Sequence, residues 1–281
     1  MPLVPTGELV TEAAAAGRAV AAFNVVTLEH AEAVATAAEE AGLPAVLQIS
    51  QNAVAYHGHR LGPIAAATGA VARCSTAPLA LHLDHADSWE LVEAAPAEGF
   101  GSVMYDASRL NAEENLRRTA EAVRFGHAHG LWVEAELGRI GGKPGEPPLD
   151  AHAPGVRTDP AEAAAYVKET GVDALAVAVG SSHAMTERTA ALDHTLITAL
   201  RSAVPVPLVL HGSSGVPDEE LAHAVRSGMT KINIGTALNQ AFTSALTTHL
   251  TDHPDPRPYL SLARAAVRGR AHHFLTVLSG V

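Results

Sequence analysis

Eight short apolar runs, rich in Val, Ile, Leu and Ala, recur along the chain with longer segments of helical spacing between them. No other feature of the sequence restricts the fold as strongly. The runs read as strands at 19–25, 44–50, 79–84, 102–106, 131–137, 174–180, 207–212 and 231–236. They are nearly continuous in apolar character, as expected of strands covered on both faces. The segments 28–41, 111–129, 159–170 and 218–227 carry acidic residues near their starts and end on basic residues or glycine, which matches the helix dipole. Strands joined through helices run parallel, because the helix returns the chain to the end where the strand began. Eight such units in 281 residues predict an α/β fold, a single (β/α)8 TIM barrel forming one domain over 1–281. An N-terminal helix at 7–17 and a C-terminal helical extension over 237–277 complete it. A doubly wound open sheet is the other arrangement this pattern allows, but it predicts GxGxxG after the first strand, and none stands there.

Composition narrows the function. Hydrophobic residues make up 47% of the chain, enough for a large core. One cysteine, Cys74, excludes an internal disulfide, and MPLVPTGELV lacks the basic start and apolar run of a secretory signal, so a cytoplasmic location is expected. No stretch approaches the roughly 18 uninterrupted apolar residues of a membrane span. A formal net charge of −11 opposes nucleic-acid phosphates. A small anionic substrate stays compatible, because backbone N–H groups at loop and helix starts hold phosphate without a basic surface.

Polar residues collect at the C-terminal ends of the runs: Asn24, Ser50, Asp84, His85, Asp106, Glu136, Ser181 to His183, His211 and Asn233. A barrel brings these ends to one mouth, and an ionisable group closing a buried strand requires a partner or a use. Of sixteen histidines, His85, His183 and His211 follow the third, sixth and seventh runs. Three neutral imidazoles at one mouth make a zinc site that leaves a position open to substrate or water. His57 and His59 lie beyond the second run, and His127, His129, His194, His223, His253, His272 and His273 lie on helices or linkers, where surface roles are expected. His82 sits below the mouth and reads as a core histidine. Asp84, beside a proposed ligand, is placed either to move a proton or to orient that ligand. Asp106 and Glu136 offer either a second, weaker cation site, divalent or monovalent, or hydrogen bonds to the histidines.

Two loop regions complete the pattern. Residues 138–158, dense in Gly and Pro, form an unusually long connection after the fifth run, as active-site lids do. Gly- and Ser-rich turns, His211 to Gly215 and Asn233 to Thr236, follow the seventh and eighth runs, where barrels commonly bind phosphate.

The strings AFNV, HLDH, SVMYDAS, VEAELGRIGG, AVAVGSSH, LHGSSG and KINIGT, in this order over nearly the whole chain, resemble the class II fructose-bisphosphate and tagatose-bisphosphate aldolases. The resemblance implies a zinc-dependent retro-aldol cleavage of a ketose 1,6-bisphosphate to dihydroxyacetone phosphate and an aldehyde such as glyceraldehyde 3-phosphate. By the same matching His85, His183 and His211 bind zinc, Asp84 exchanges the proton on the C4 oxygen, and Asp106 and Glu136 occupy second-metal positions. Gly212, Ser213, Ser214, Asn233, Ile234, Gly235, Thr236 and Ser50 match positions holding the triose phosphate, with Asn24 and Ala184 also at the substrate. A C-terminal arginine reaching a neighbouring subunit's substrate, here Arg270 or Arg268, implies a homodimer or homotetramer. Two departures bear on the substrate. Ala184 stands where the family has Gly, and the lid continues GG with Lys143-Pro144-Gly145-Glu146 in place of acidic residues, leaving Glu146 as the acid that exchanges the ketone's proton.

Other readings remain open at this level. A Schiff-base aldolase needs a lysine at the mouth, and of Lys143, Lys168 and Lys231 the last opens the eighth run at the opposite end. A metal-dependent amidohydrolase needs an H-x-H on the first run and an Asp after the eighth, and both are missing. A deoxy-phosphogluconate-type substrate, or a non-catalytic sugar-phosphate binder, would use the same loops.

Overall fold

A computed structural model describes residues 3–143, 149–153, 155–251 and 254–280. The chain runs α1 (Thr6–Ala15), β1 (Val20–Asn24), α2 (Leu28–Ala41), β2 (Ala45–Ser50), α3 (Gln51–Tyr56), α4 (Leu61–Cys74), β3 (Leu79–Ala86), α5 (Trp89–Ala94), β4 (Ser102–Tyr105), α6 (Ala112–Ala128), β5 (Trp132–Leu137), α7 (Pro160–Thr170), β6 (Ala174–Val177), α8 (His194–Ala203), β7 (Leu208–Leu210), α9 (Asp218–Ser227), β8 (Met229–Ile234), α10 (Thr236–His249) and α11 (Arg257–Ser279). Each strand pairs in parallel with its chain neighbours and β8 returns to β1, so the sheet closes into the expected (β/α)8 barrel.

Local chemistry explains the helices. Asn111 Oδ1 accepts a hydrogen bond from Glu114 N at 3.0 Å and caps α6. Asp159 caps α7 with Pro160 at its first position, and Gly42 and Gly171 end α2 and α7 in the left-handed region. The helical segments expected from the sequence do not include α3, α4, α5 or α8. In α4, Pro63 sits in the first turn, where no N–H is needed, but a proline and two glycines in LGPIAAATGAVARC disguise the helix. The C-terminal extension is two helices, and α11 packs along both α10 and α2.

Strand parity sorts the side chains. Phe23, Leu47, Ile49, Leu81, Leu83, Val103, Val133, Leu175, Leu210 and Ile232 point outward into the main core shared with the helices. The alternate positions face the barrel axis. Low in the barrel these are small and apolar: Val20, Ala22, Val46 and Ala80 pack against Leu9 and Ala13 of α1, which closes the floor. Higher up the axial positions turn polar, with Gln48, His82, Asp84, Glu134, Glu136, His211, Lys231 and Asn233 all buried. Lys231 therefore lies inside the barrel, and the expectation that it sits at the far end is corrected: it is the third residue of β8 and its side chain climbs the axis.

Candidate active site

Asp84 and His85 are adjacent, so regular pleating would send them to opposite faces. A register shift between β3 and β4 at Leu83/Ala86 breaks the alternation, and His85 takes φ +49°. The left-handed conformation costs a non-glycine residue about 1–2 kcal/mol, and the bulge delivers both side chains to the mouth. His211 follows β7 on the axial parity, and His183 comes from the loop after β6. The ring centroids lie 5.0 Å (His85–His183), 4.7 Å (His85–His211) and 5.7 Å (His183–His211) apart.

The three imidazoles, with Glu136, each offer a ligand atom within 4.8 Å of the others. A tetrahedral zinc with Zn–N of about 2.1 Å would space its nitrogens about 3.4 Å apart, closer than the 4.8 Å limit within which these atoms lie, so the rings would draw together around it. His183 Nε2 is buried with no hydrogen-bond partner among the described residues. Burial, with His85 and His211 adding to it, lowers the His183 pKa to about 3, so the ring is neutral and ready to ligate. The donor set fits a zinc-type ion.

A chain of opposite charges threads the axis through this site. Lys231 Nζ donates to Glu134 Oε2 at 2.8 Å, and Glu134 Oε1 lies 3.0 Å from His211 Nε2. On the other side of the ring, His211 Nδ1 lies 3.0 Å from Glu136 Oε2, and Glu136 Oε1 accepts from Lys143 Nζ at 2.6 Å. Lys143 also donates to Asp106 Oδ2 at 2.8 Å, and that oxygen lies 2.8 Å from His85 Nδ1. Burial alone would strip the His211 proton, but hydrogen bonds to Glu134 and Glu136 push its pKa up to about 9. Burial likewise opposes charge on Glu136, yet His211 and Lys143 pull it down to about 2. To hold an ion, His211 would give up a proton and one of these two hydrogen bonds, and the carboxylate that remains would orient the ring.

Asp84 is buried, and burial would raise its pKa, but the surrounding His85, His211, Lys231 and His82 hold it below the usual carboxylate value. Gln48 donates to its Oδ2 at 3.4 Å and Asn233 to its Oδ1 at 3.3 Å. Gln48 also donates to Asn24 Oδ1 at 2.6 Å. The result is an ionised, amide-braced carboxylate beside the imidazoles.

A cavity of about 560 Å³ opens over these residues, within the usual range for small-ligand sites. Its wall includes Asn24, Ser50, Asp84, His183, Ala184, Gly212 to Ser214, Asn233, Gly235 and Thr236. Gly212 has φ +67°, and a Cβ there would lie 2.5 Å from the Ser182 carbonyl carbon, so only glycine lets the two loops meet. Ser213–Gly215 form one 3-10 turn, and α10 starts at Thr236, presenting helical N–H groups to the same wall.

The expected residues gather with three exceptions. Ile234 points outward into the core, away from the cavity, as strand parity requires. Arg270 is exposed on α11 and is not among the residues lining the cavity. Glu146 lies outside the described residues. Asp106 and Glu136 do sit side by side, but the space between them holds the Lys143 ammonium and they are hydrogen-bonded to His85 and His211, which favours the hydrogen-bonding role. His82 is the core histidine expected, 2.8 Å from Ser102 Oγ. Residues passed over include Gln48, signalled by a polar residue at axial parity in AVLQIS, and Arg109 on the cavity wall. His194, Glu220 and His223 form a second potential cluster, on α8 and α9.

A family model for class II fructose-bisphosphate aldolase matches residues 4–280. Among solved structures, the YdjI aldolase of Escherichia coli K12 is similar at 34% identity over 99% of this chain and 97% of its own, with a TM-score of 0.86. A provisionally named fructose-1,6-biphosphate aldolase of Coccidioides immitis is 29% identical over 98% of this chain and 96% of its own, with a TM-score of 0.87. Fructose-bisphosphate aldolase (Fba) of Campylobacter jejuni, at 22% identity over 99% of this chain and 95% of its own, with a TM-score of 0.80, supports the fold alone. With the family pattern spanning nearly every residue and the barrel matched end to end, this chain belongs to the class II fructose-bisphosphate aldolase family and is an aldolase, a carbon–carbon lyase.

Proposed function

We propose that the protein is a zinc-dependent aldolase cleaving a ketose 1,6-bisphosphate of the fructose or tagatose type to dihydroxyacetone phosphate and an aldehyde such as glyceraldehyde 3-phosphate. The observation that carries this reading is the convergence of His85, His183 and His211 beside the buried, ionised Asp84. In the cleavage direction the Asp84 carboxylate takes the proton of the C4 hydroxyl, the C3–C4 bond breaks, and the electron pair moves toward the ketone. His85, His183 and His211 would hold a divalent ion, which would supply Lewis-acid polarisation of that ketone. Gln48 and Asn233 keep the Asp84 oxygens aimed, and burial excludes water from the proton transfer. The Gly212 to Ser214 turn and the start of α10 hold the triose phosphate through backbone N–H groups. Glu146 is the residue we assign to proton exchange on the triose carbon. The whole chain, 1–281, works as one catalytic domain in a cytoplasmic homodimer or homotetramer, with Arg270 serving a neighbouring subunit's substrate.

A different phosphorylated substrate, of the deoxy-phosphogluconate type, is favoured by one feature: the Ala184 methyl lines the cavity where the family has glycine. A retro-aldol screen of these compounds with zinc supplied separates the readings. Cleavage abolished by a chelator, restored by zinc and leaving no borohydride-trapped adduct is the expected result. Chelator-resistant turnover with a trapped lysine would overturn the metal assignment.

A further inference from the structure

We propose that Lys143 is a tethered cation for this active site: its ammonium fills the position between Asp106 and Glu136 that a second metal or monovalent cation would otherwise take, so the mouth of the barrel binds one ion and needs no added cation. The inference rests on the metal-dependent reading above. It starts from the oxygen inventory of the two carboxylates. Asp106 Oδ1 accepts from Ser108 N at 3.1 Å and Ser108 Oγ at 2.5 Å, while Oδ2 takes the Lys143 ammonium and lies 2.8 Å from His85 Nδ1. Glu136 Oε1 takes Lys143 and Oε2 faces His211 Nδ1. Every oxygen is already engaged.

The ammonium is equally complete. Its three protons meet Asp106 at 2.8 Å, Glu136 at 2.6 Å and Ser108 Oγ at 2.7 Å, a tripod that uses all its donors. Lys143 is only 9% exposed. Its approach is built into the backbone. Gly142 has φ +82°, and a Cβ there would collide with the His183 carbonyl, while His183 N donates to Gly141 O at 2.7 Å. The two glycines seat the loop directly on the connection that carries His183, and the next residue drops its side chain into the carboxylate gap. A long side chain collapsing onto a surface acid would need no such seat.

Charge counting gives the consequence. Two carboxylates and one ammonium leave a net −1 facing the imidazoles, which attracts an ion to His85, His183 and His211. A divalent ion in place of the ammonium would bring the gap to zero net charge and repel an ion held by the imidazoles. Lys143 thus acts as a positioning residue, holding Asp106 on His85 and Glu136 on His211.

The test uses protein carrying His194→Ala and His223→Ala, which removes the second potential cluster and serves as wild type below; it counts metal in the zinc-loaded, dialysed protein by plasma mass spectrometry and measures retro-aldol rates with and without ammonium, methylammonium and potassium. Wild type is expected to hold about one ion per chain and to ignore added cations. Lys143→Ala is expected to hold about two ions or, with one, to lose about tenfold in kcat and recover most of it with methylammonium. Lys143→Arg should retain the single ion and keep the metal count decided even if the alanine variant folds poorly. Two ions in wild type, or an alanine variant with one ion and no response to added cations, would overturn the proposal. The metal count does not depend on turnover, so a protein inactive on every ketose phosphate yet shifting from one ion to two would refute the assigned substrate while leaving the role of Lys143 standing.

Discussion

Two buried lysines end the charged chain that crosses the barrel, and they are held in opposite ways. Lys231, with no exposed surface, rises from a regular strand and donates to Glu134 and to Asn233 Oδ1, each at 2.8 Å. Its position follows from the parity of β8, and moving it means opening the barrel. Lys143 does the matching work for Glu136 at the mouth, but a loop delivers it through a Gly-Gly turn. The floor of the site thus has its counter-charge woven into the sheet, whereas the mouth borrows one that can be exchanged. Function needs the second arrangement near the substrate and the first where nothing should move.

The contrast is broken most forcefully at Lys231. Lys231→Met leaves the Glu134 carboxylate buried without its cation, and destabilisation of about 3–5 kcal/mol is expected in denaturant unfolding. Lys143→Met, on the cavity wall where an added cation can take the place of the ammonium, should cost less than Lys231→Met by the same measurement, about 1–3 kcal/mol. Equal losses would show that both lysines are structural in the same sense.

That asymmetry is only half legible in the sequence. The eight apolar runs reveal the barrel because each is buried on both faces, and the polar residue closing each run reveals the mouth because burial makes such residues expensive. His85, His183, His211 and Asp84 were therefore readable. Lys231 was misplaced because its strand starts at Met229, two residues earlier than the apolar run suggests, and a two-residue offset changes its depth though not its face. Ile234 failed for the complementary reason: its neighbours in KINIGT belong to the site, but its own parity turns it into the core. Lys143 carried no periodic signal, since a loop residue's target depends on backbone angles set by the glycines before it.

Acid separates floor from mouth more gently. Burial lowers the pKa of His82 from 6.5 to about 3, with Lys231 adding to the effect. Its folded value lies below its unfolded one, so the neutral ring contributes stability that is present above about 6.5 and lost as pH falls toward 3. Between pH 7 and 5 wild type should therefore lose about 2 kcal/mol more than His82→Gln, compared by urea unfolding in chelator. Parallel loss in both proteins would place the acid sensitivity elsewhere, for instance among the carboxylates at the mouth.

The smallest effect concerns strain, which the mouth carries and the strands of the floor do not. Among the described residues three non-glycines have positive φ, and two of them, His85 (+49°) and Ala184 (+57°), stand at the mouth. His85 needs its side chain, so its strain is inseparable from the geometry it produces. Ala184 offers only a methyl group, which makes it the cleaner probe. Ala184→Gly relieves the left-handed penalty but restores unfolded-chain freedom, for a net gain of roughly 0.5–1 kcal/mol in unfolding free energy. The same change enlarges the cavity beside His183, so the ratio of kcat/KM between the two C4 epimers, fructose and tagatose 1,6-bisphosphate, should change. A variant that is stabilised with unchanged selectivity would make Ala184 a matter of backbone strain alone. One that is destabilised would mean that the methyl packs well enough to outweigh the strain, and the mouth would then be held as firmly as the floor.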